Sequence, residues 1–261
     1  PSAVIQGNTM LKVLTADSFR SWSRWWQPII SLFSILLLSA CGALQINTAH
    51  VAQSQDSRVQ FVVLHYTSSD LQQSLKTLTQ KGVSSHYLIN DSPPIIYQLV
   101  DENRRAWHAG VSEWKGRTWL NASSIGIELV NPGYRDTPQG RVWTSYSDAQ
   151  ISQLIRLLKD IQQRHDLPID SIIGHSDIAP QRKVDPGPLF PWKRLADAGL
   201  ISWPDAQAVA LQQQQFEQTL PDILWFQQQL ARHGFAIELS GVDDEQTRNV
   251  LAAFQMKYRP A

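Results

Sequence analysis

His65, His175 and Asp185 are residues of the right types, in the right local settings, to hold a metal ion. His65 ends the apolar run Phe61-Val62-Val63-Leu64, and His175 ends a second run, Ser171-Ile172-Ile173-Gly174. Asp185 follows inside Lys183-Val184-Asp185-Pro186-Gly187-Pro188, a Pro/Gly-rich loop able to turn a carboxylate back toward the strand ends. Two neutral imidazoles and one carboxylate are a three-ligand set for a catalytic zinc, whose fourth position stays open for water. The single cysteine, Cys41, lies elsewhere, so a thiolate-rich structural site does not fit. Spacing alone leaves a plainer alternative open. The chain has seven histidines, and one at a strand end serves equally as a hydrogen-bonded structural residue.

Other residues gather around this set. Glu128 ends the run Ile125-Gly126-Ile127, where a carboxylate could face a metal-bound water or be an ordinary charged strand end. Lys183 precedes Asp185 by two residues, so both can face one side of an extended loop. His86 and His108 are each open to several roles: fourth ligand, general base, or a hydrogen-bonding residue that lines a cleft. Trp107, beside His108, could wall a sugar or peptide or belong to the core.

The elements that must position these groups alternate in type. Residues 60–65, 86–90, 95–100, 125–130 and 171–174 are short, apolar and partly β-branched, as buried strands are. Leu71, Leu75 and Leu78 follow Asp70 at helical spacing. A longer helix starts at Ser147, with Gln150 placed to complete a capping box and Ile151, Leu154, Ile155, Leu158 and Ile161 on one face. A short helix near 192–199 follows the Pro/Gly-rich loop. Strands interleaved with helices give an α/β layer architecture, with helices on both sides of a sheet. After Trp203-Pro204 the patterns are helical: 220–233 ended by Gly234 as a C-cap, then 243–255 opened by acidic residues. The glutamines at 212–215 read as a solvated helix face or linker.

Lys+Arg and Asp+Glu are balanced at 23 each, so no strong field points to nucleic acid. Arg20 and Arg24 precede an apolar stretch over 29–40 that is too short for a comfortable membrane span and reads as a secretory signal. Leu38-Ser39-Ala40-Cys41 resembles a bacterial lipobox, which makes Cys41 the lipidation site and the membrane a partner through that anchor. By resemblance to enterobacterial lipoproteins, Gly42 after it, rather than Asp, favours the outer membrane, facing the periplasm. Residues 1–20 fit no part of a signal, consistent with a true start at Met10 or elsewhere. The expected organisation is a signal and lipobox region over 1–41, a polar tether over 42–57, a catalytic domain over 58–204 and a helical module over 205–261, in a monomer.

Five segments occur in order: Phe61-Val62-Val63-Leu64-His65-Tyr66-Thr67, Ser85-His86-Tyr87-Leu88-Ile89, Ala106-Trp107-His108-Ala109-Gly110, Ser124-Ile125-Gly126-Ile127-Glu128 and Gly174-His175-Ser176-Asp177-Ile178-Ala179-Pro180-Gln181-Arg182-Lys183. Together they resemble the zinc-dependent N-acetylmuramoyl-L-alanine amidases and peptidoglycan recognition proteins, over roughly residues 55–261. The resemblance implies a central mixed β-sheet and one Zn2+ on His65, His175 and Asp185. It also implies Glu128 as general base, Lys183 as oxyanion stabiliser, and His86, Trp107, His108 and Arg182 as substrate contacts. The implied substrate is peptidoglycan or a muropeptide, cut between N-acetylmuramic acid and L-alanine in wall turnover and recycling. The last helices resemble a small peptidoglycan-binding module that normally continues beyond Tyr258-Arg259-Pro260-Ala261, so the module reads as incomplete. Three alternatives stand beside this: a recognition protein that binds without cleaving, a lysozyme with two carboxylates astride a glycosidic bond, and a cytosolic recycling amidase.

Overall fold

The computed structural model describes residues 44–259, and the chain from Asp56 onward forms one compact unit. Its elements begin with β1 (Phe61–Tyr66), α1 (Leu71–Gln80), β2 (Tyr87–Ile89), β3 (Ile96–Gln98), β4 (Glu113–Trp114) and β5 (Arg117–Thr118). β6 (Ser124–Leu129), β7 (Tyr134–Thr137), β8 (Gly140–Trp143), α2 (Asp148–His165) and β9 (Ile172–Gly174) follow. The single turn α3 (His175–Ile178), then α4 (Trp192–Asp197), α5 (Ala206–Gln218), α6 (Ile223–His233) and α7 (Glu245–Tyr258), complete the order. Among the described residues no helix is long and apolar enough to cross a membrane.

The central sheet has the order β3-β2-β6-β1-β9. β1 pairs parallel with β6 and β9, β2 pairs parallel with β6, and only β3 is antiparallel, so the sheet is mixed as expected. Parallel strands covered on both faces read as continuous apolar runs, which is what Val62-Val63-Leu64 and Ile172-Ile173 are. Side chains alternate faces along β1. Val62 and Leu64 pack with Ile125 and Ile127 against Ile151, Leu154, Leu158 and Ile161 of α2. Val63 and Ile173 point the other way, into Leu230, Phe235, Val250 and Ala253 of the C-terminal helices. The last helices therefore help to cover this second face of the sheet.

Helix starts follow the caps legible in the chain. Asp70, Ser147, Asp222 and Asp244 each accept a backbone N–H from the first turn, and Gly234, at φ +135°, closes α6. At α2 only half of the capping box forms. Ser147 accepts the Gln150 N–H at 3.2 Å, but the Gln150 amide donates instead to the Ile89 and Val130 carbonyls at 3.1 and 3.0 Å. Gln150 is itself buried, so its amide hydrogens need acceptors inside the core, and these carbonyls supply them. Two hairpins, β4–β5 and β7–β8, fall in stretches without strand-like alternation. The glutamines at 212–215 lie on α5, which has no buried residue.

Gly126 on β6 is paired with Val63 and faces the same side as His65. A Cβ there would stand 2.4 Å from Cγ of the His108 ring, which occupies that space. Gly126→Ala is expected to displace that ring and lower stability by about 1–3 kcal/mol, as overpacked cores do. A urea midpoint equal to that of the parent would show that His108 is free to move aside.

Candidate active site

The C-terminal ends of the parallel strands deliver the polar residues. In the β1–β6 register His65 stands beside Glu128, and β9 ends at Gly174 with His175 opening α3. Such strand ends are where α/β sheets gather ligands. The loop after α3 returns Asp185, and two bonds fix its path: the Ser176 N–H donates to the Asp185 carbonyl at 2.8 Å, and the Tyr146 hydroxyl donates to the Pro186 carbonyl at 2.8 Å.

Three atoms converge. His65 Nδ1 lies 2.9 Å from His175 Nδ1 and 3.1 Å from Asp185 Oδ2, and His175 Nδ1 lies 3.0 Å from the same oxygen. All three residues are buried. Their outer bonds decide which atoms carry protons. His175 Nε2 faces the Ala109 carbonyl at 3.2 Å, which can only accept, so a neutral His175 ring has its proton on Nε2 and a bare Nδ1. The Ser124 hydroxyl donates to the Leu120 carbonyl at 2.6 Å and so accepts from His108 Nε2 at 3.3 Å. His108 Nδ1 is then bare and accepts from His65 Nε2 at 3.1 Å, which leaves His65 Nδ1 bare as well. Two imidazole lone pairs and a carboxylate oxygen point at one another with no hydrogen between them. A cation satisfies that arrangement, and the outer bonds are those that orient metal-ligating histidines. The three residues singled out in the chain thus form one group able to hold a metal ion.

A family model described as N-acetylmuramoyl-L-alanine amidase matches residues 55–188. The chain is 43% identical over 241 residues to the Escherichia coli K12 N-acetylmuramoyl-L-alanine amidase AmiD, covering 86% of this chain and 87% of that protein. The chain belongs to the N-acetylmuramoyl-L-alanine amidase family. It is also 46% identical over 99 residues to the 1,6-anhydro-N-acetylmuramyl-L-alanine amidase AmpD of Enterobacter cloacae, covering 38% of this chain and 48% of that one. Residues 219–261 match a putative peptidoglycan binding domain. The fold superposes on E. coli AmiD in complex with anhydro-N-acetylmuramic acid-L-Ala-D-gamma-Glu-L-Lys, with TM-score 0.73, 41% identity, and 84% and 87% of the two chains covered. AmpDh3 of Pseudomonas aeruginosa, in complex with anhydromuramic pentapeptide, gives TM-score 0.75 at 39% identity, covering 84% of this chain and 91% of that one.

In this amidase the three acceptors open onto a cavity of about 360 Å³, whose lining includes His65, Trp107, His108, Glu128, Tyr134, His175, Arg182, Lys183 and Asp185. Trp107 is half exposed, and the Arg105 guanidinium lies 4.2 Å over its ring. Arg182 donates to the Ala109 and Val111 carbonyls and so braces the rim loop. Lys183 reaches the cavity from a turn, its N–H bonded to the Ala179 carbonyl at 3.0 Å, rather than from an extended loop. His86 is not where a substrate contact would be. It is fully buried, its Nδ1 accepting the Gly126 N–H at 3.0 Å and its Nε2 donating to the Arg104 carbonyl at 3.1 Å. With both ring nitrogens engaged inside the fold, it ties β2 to β6 and lies apart from the cleft. Asn121, whose Oδ1 accepts the His108 and Ala109 N–H groups at 3.0 and 2.8 Å, and Ser124 hold the His108 segment. Neither stands out in the sequence from ordinary polar loop residues.

The electrostatics are set mainly by burial. Desolvation, with the neighbouring His175, lowers the His65 pKa to about 4. Burial alone would raise the Asp185 carboxyl, but its closeness to the rings of His175 and His65 holds it well below the usual carboxylate range. Glu128 is pushed up to about 8 by burial and then by Asp185, with Lys183 pulling the other way. Its Oε2 is buried without a hydrogen-bond partner.

In the metal-free protein, folded Glu128 keeps a proton that the unfolded chain releases above its ordinary 4.5, so this group's stability contribution falls as pH rises from there to about 8. His65 works oppositely, losing stability as pH falls from 6.5 to about 4. The two offset each other between 4.5 and 6.5, and above that only Glu128 acts. Chelator-treated protein is expected to lose on the order of 2 kcal/mol between pH 6.5 and 8 through this group. Glu128→Gln should flatten the decline, as read from urea midpoints across that range. A decline of the same size in the variant would assign it to another group.

Proposed function

We propose that this amidase hydrolyses the amide bond between the lactyl group of N-acetylmuramic acid and L-alanine, in peptidoglycan or released muropeptides, during wall turnover and recycling. The reading rests on one observation: three buried acceptors set for a cation, with an unpartnered carboxylate oxygen on the adjacent strand of the same cavity. The muropeptides bound in the AmiD and AmpDh3 complexes support the substrate class, as does the match to a putative peptidoglycan binding domain.

The donor set of two nitrogens and one oxygen suits zinc, one per chain, held by His65, His175 and Asp185. Zinc held there would supply Lewis-acid chemistry, lowering the pKa of a water toward about 7 and polarising a carbonyl oxygen. Glu128 does the proton work. Its unpartnered Oε2, on the strand beside His65, is placed to take a proton from the attacking water and return it to the departing L-alanine nitrogen. Lys183, on the same cavity, stands against the negative charge that develops on the carbonyl oxygen. Trp107, His108 and Arg182 border the space where the sugar and peptide lie.

A binding-only role is disfavoured by the complete acceptor set with Glu128 beside it. A glycosidase needs two available carboxylates. The cavity offers Glu128 and Asp185, and Asp185 is committed to two imidazoles. We further propose a monomer anchored in the outer membrane through lipidated Cys41 and facing the periplasm. The lipobox pattern supports this, and Cys41 lies outside the described residues.

Purified muropeptides treated with the zinc-loaded protein should yield free stem peptides by mass spectrometry, and chelation should abolish them. Shortened glycans would overturn the assignment. Glu128→Gln should retain zinc while kcat falls by about 10²–10⁴, and Lys183→Ala should lose kcat with KM little changed. Cys41→Ala is expected to move the protein from the membrane pellet to the soluble periplasmic fraction with its hydrolysis intact; continued sedimentation with membranes would remove the anchor.

A further inference from the structure

A buried ion pair ties the last helix to the turn that carries His175. Asp177 Oδ2 accepts the Gly174 N–H at 2.9 Å, closing α3 across His175. The same oxygen lies 3.0 Å from Lys257 Nζ on α7, with side-chain exposures of 1% for Asp177 and 6% for Lys257. Lys257 also donates to the Ile172 carbonyl on β9 at 3.4 Å, and its ammonium sits 4.5 Å over the Trp192 ring. The lysine therefore grips both sides of the strand-to-turn junction from which His175 projects. Around it Val63, Ile173 and Ile178 share one core with Leu230, Phe235 and Val250. Further along the seam, Asn249 donates to the Gln181 side chain at 2.9 Å.

A lysine drawn into a core this way is weak evidence for stability, because an apolar residue of the same volume usually serves as well or better. What an apolar side chain cannot supply is a directed bond to the carboxylate that closes the turn. We propose that Lys257 is a positioning residue for the metal centre: through Asp177 it fixes the turn presenting His175, so the C-terminal helices set the geometry of the site. This rests on the metal reading of His65, His175 and Asp185. The stretch matching a putative peptidoglycan binding domain then has a role inside the catalytic unit.

The test is the zinc affinity of the stripped full-length protein, measured by competition with a chromophoric chelator. Lys257→Met should weaken it by about 10–100-fold, the usual effect of losing an outer-shell partner. Val250→Ala, which trims the same helix inside the shared core, should lower the unfolding midpoint while leaving zinc affinity unchanged. If Lys257→Met does not fold because Asp177 is left as an unpaired buried charge, the double variant Asp177→Asn/Lys257→Met removes that charge, and the same weakening is expected. Parent-like affinity in the folded lysine variant would overturn the proposal. So would an equal loss in Val250→Ala, since the effect would then be general destabilisation. A parent that binds no zinc while folded overturns the metal reading itself, and the positioning role with it.

Discussion

Three buried lone pairs aimed at one point govern the arrangement of this protein. Bringing His65 Nδ1, His175 Nδ1 and Asp185 Oδ2 within 3.1 Å of one another leaves mutually repelling acceptors out of reach of solvent. An unsatisfied buried acceptor costs roughly 1–3 kcal/mol, and more when charged. The fold sustains this by fixing proton positions from outside. The Leu120 carbonyl orients the Ser124 hydroxyl, that hydroxyl orients His108, and His108 orients His65. The Ala109 carbonyl does the same for His175. Even the absence of a side chain at Gly126 belongs to this chain of bonds, because the His108 ring occupies that space.

The sheet makes such precision possible. Ligands on neighbouring parallel strands inherit the strand register, so His65 and Glu128 are held side by side without a loop between them. Rigidity requires both faces of the sheet to be packed. α2 covers one, through Ile151, Leu154 and Leu158. The other is covered by Ala109, Trp114 and Leu120 together with residues from the far end of the chain, Leu230, Phe235, Val250 and Ala253. The core that stabilises the C-terminal helices is thus also the support beneath His65 and His175, and stability and function share the same contacts.

Much of this was legible in the chain because the informative features are local. Continuous apolar runs mark the five strands of the central sheet, which match them within a residue or two, whereas the two hairpins carry no such signal. Asp and Ser caps set the helix starts. His65, His175 and Asp185 could be grouped because strand ends and a Pro/Gly loop are recognisable without coordinates. The illegible features are those decided by distant partners. Lys257 lies on a helix whose pattern gives a lysine no reason to be buried; Asp177, the Ile172 carbonyl and the Trp192 ring, all remote in sequence, draw it in. His86 carries the same local signature as a cleft residue, and the Gly126 N–H and Arg104 carbonyl decide otherwise. Gln150 looks like half of a capping box until the Ile89 and Val130 carbonyls claim its amide.

The segment from Lys183 to Asp185 shows how closely ion binding and proton transfer are joined here. Asp185 supplies an acceptor to the metal group, and its negative charge also helps raise the Glu128 pKa. Lys183, two residues earlier, lowers the same pKa and also disfavours protonation of His65. A single short loop therefore carries two charges of opposite sign that act on the base from one direction. Burial sets the broad level of Glu128, and this pair adjusts it. A proton-transfer group works best when its pKa lies near the working pH, so moving the loop would change both the hold on the ion and the strength of the base. The Ser176 N–H bond to the Asp185 carbonyl and the Tyr146 bond to Pro186 are where the fold prevents that movement.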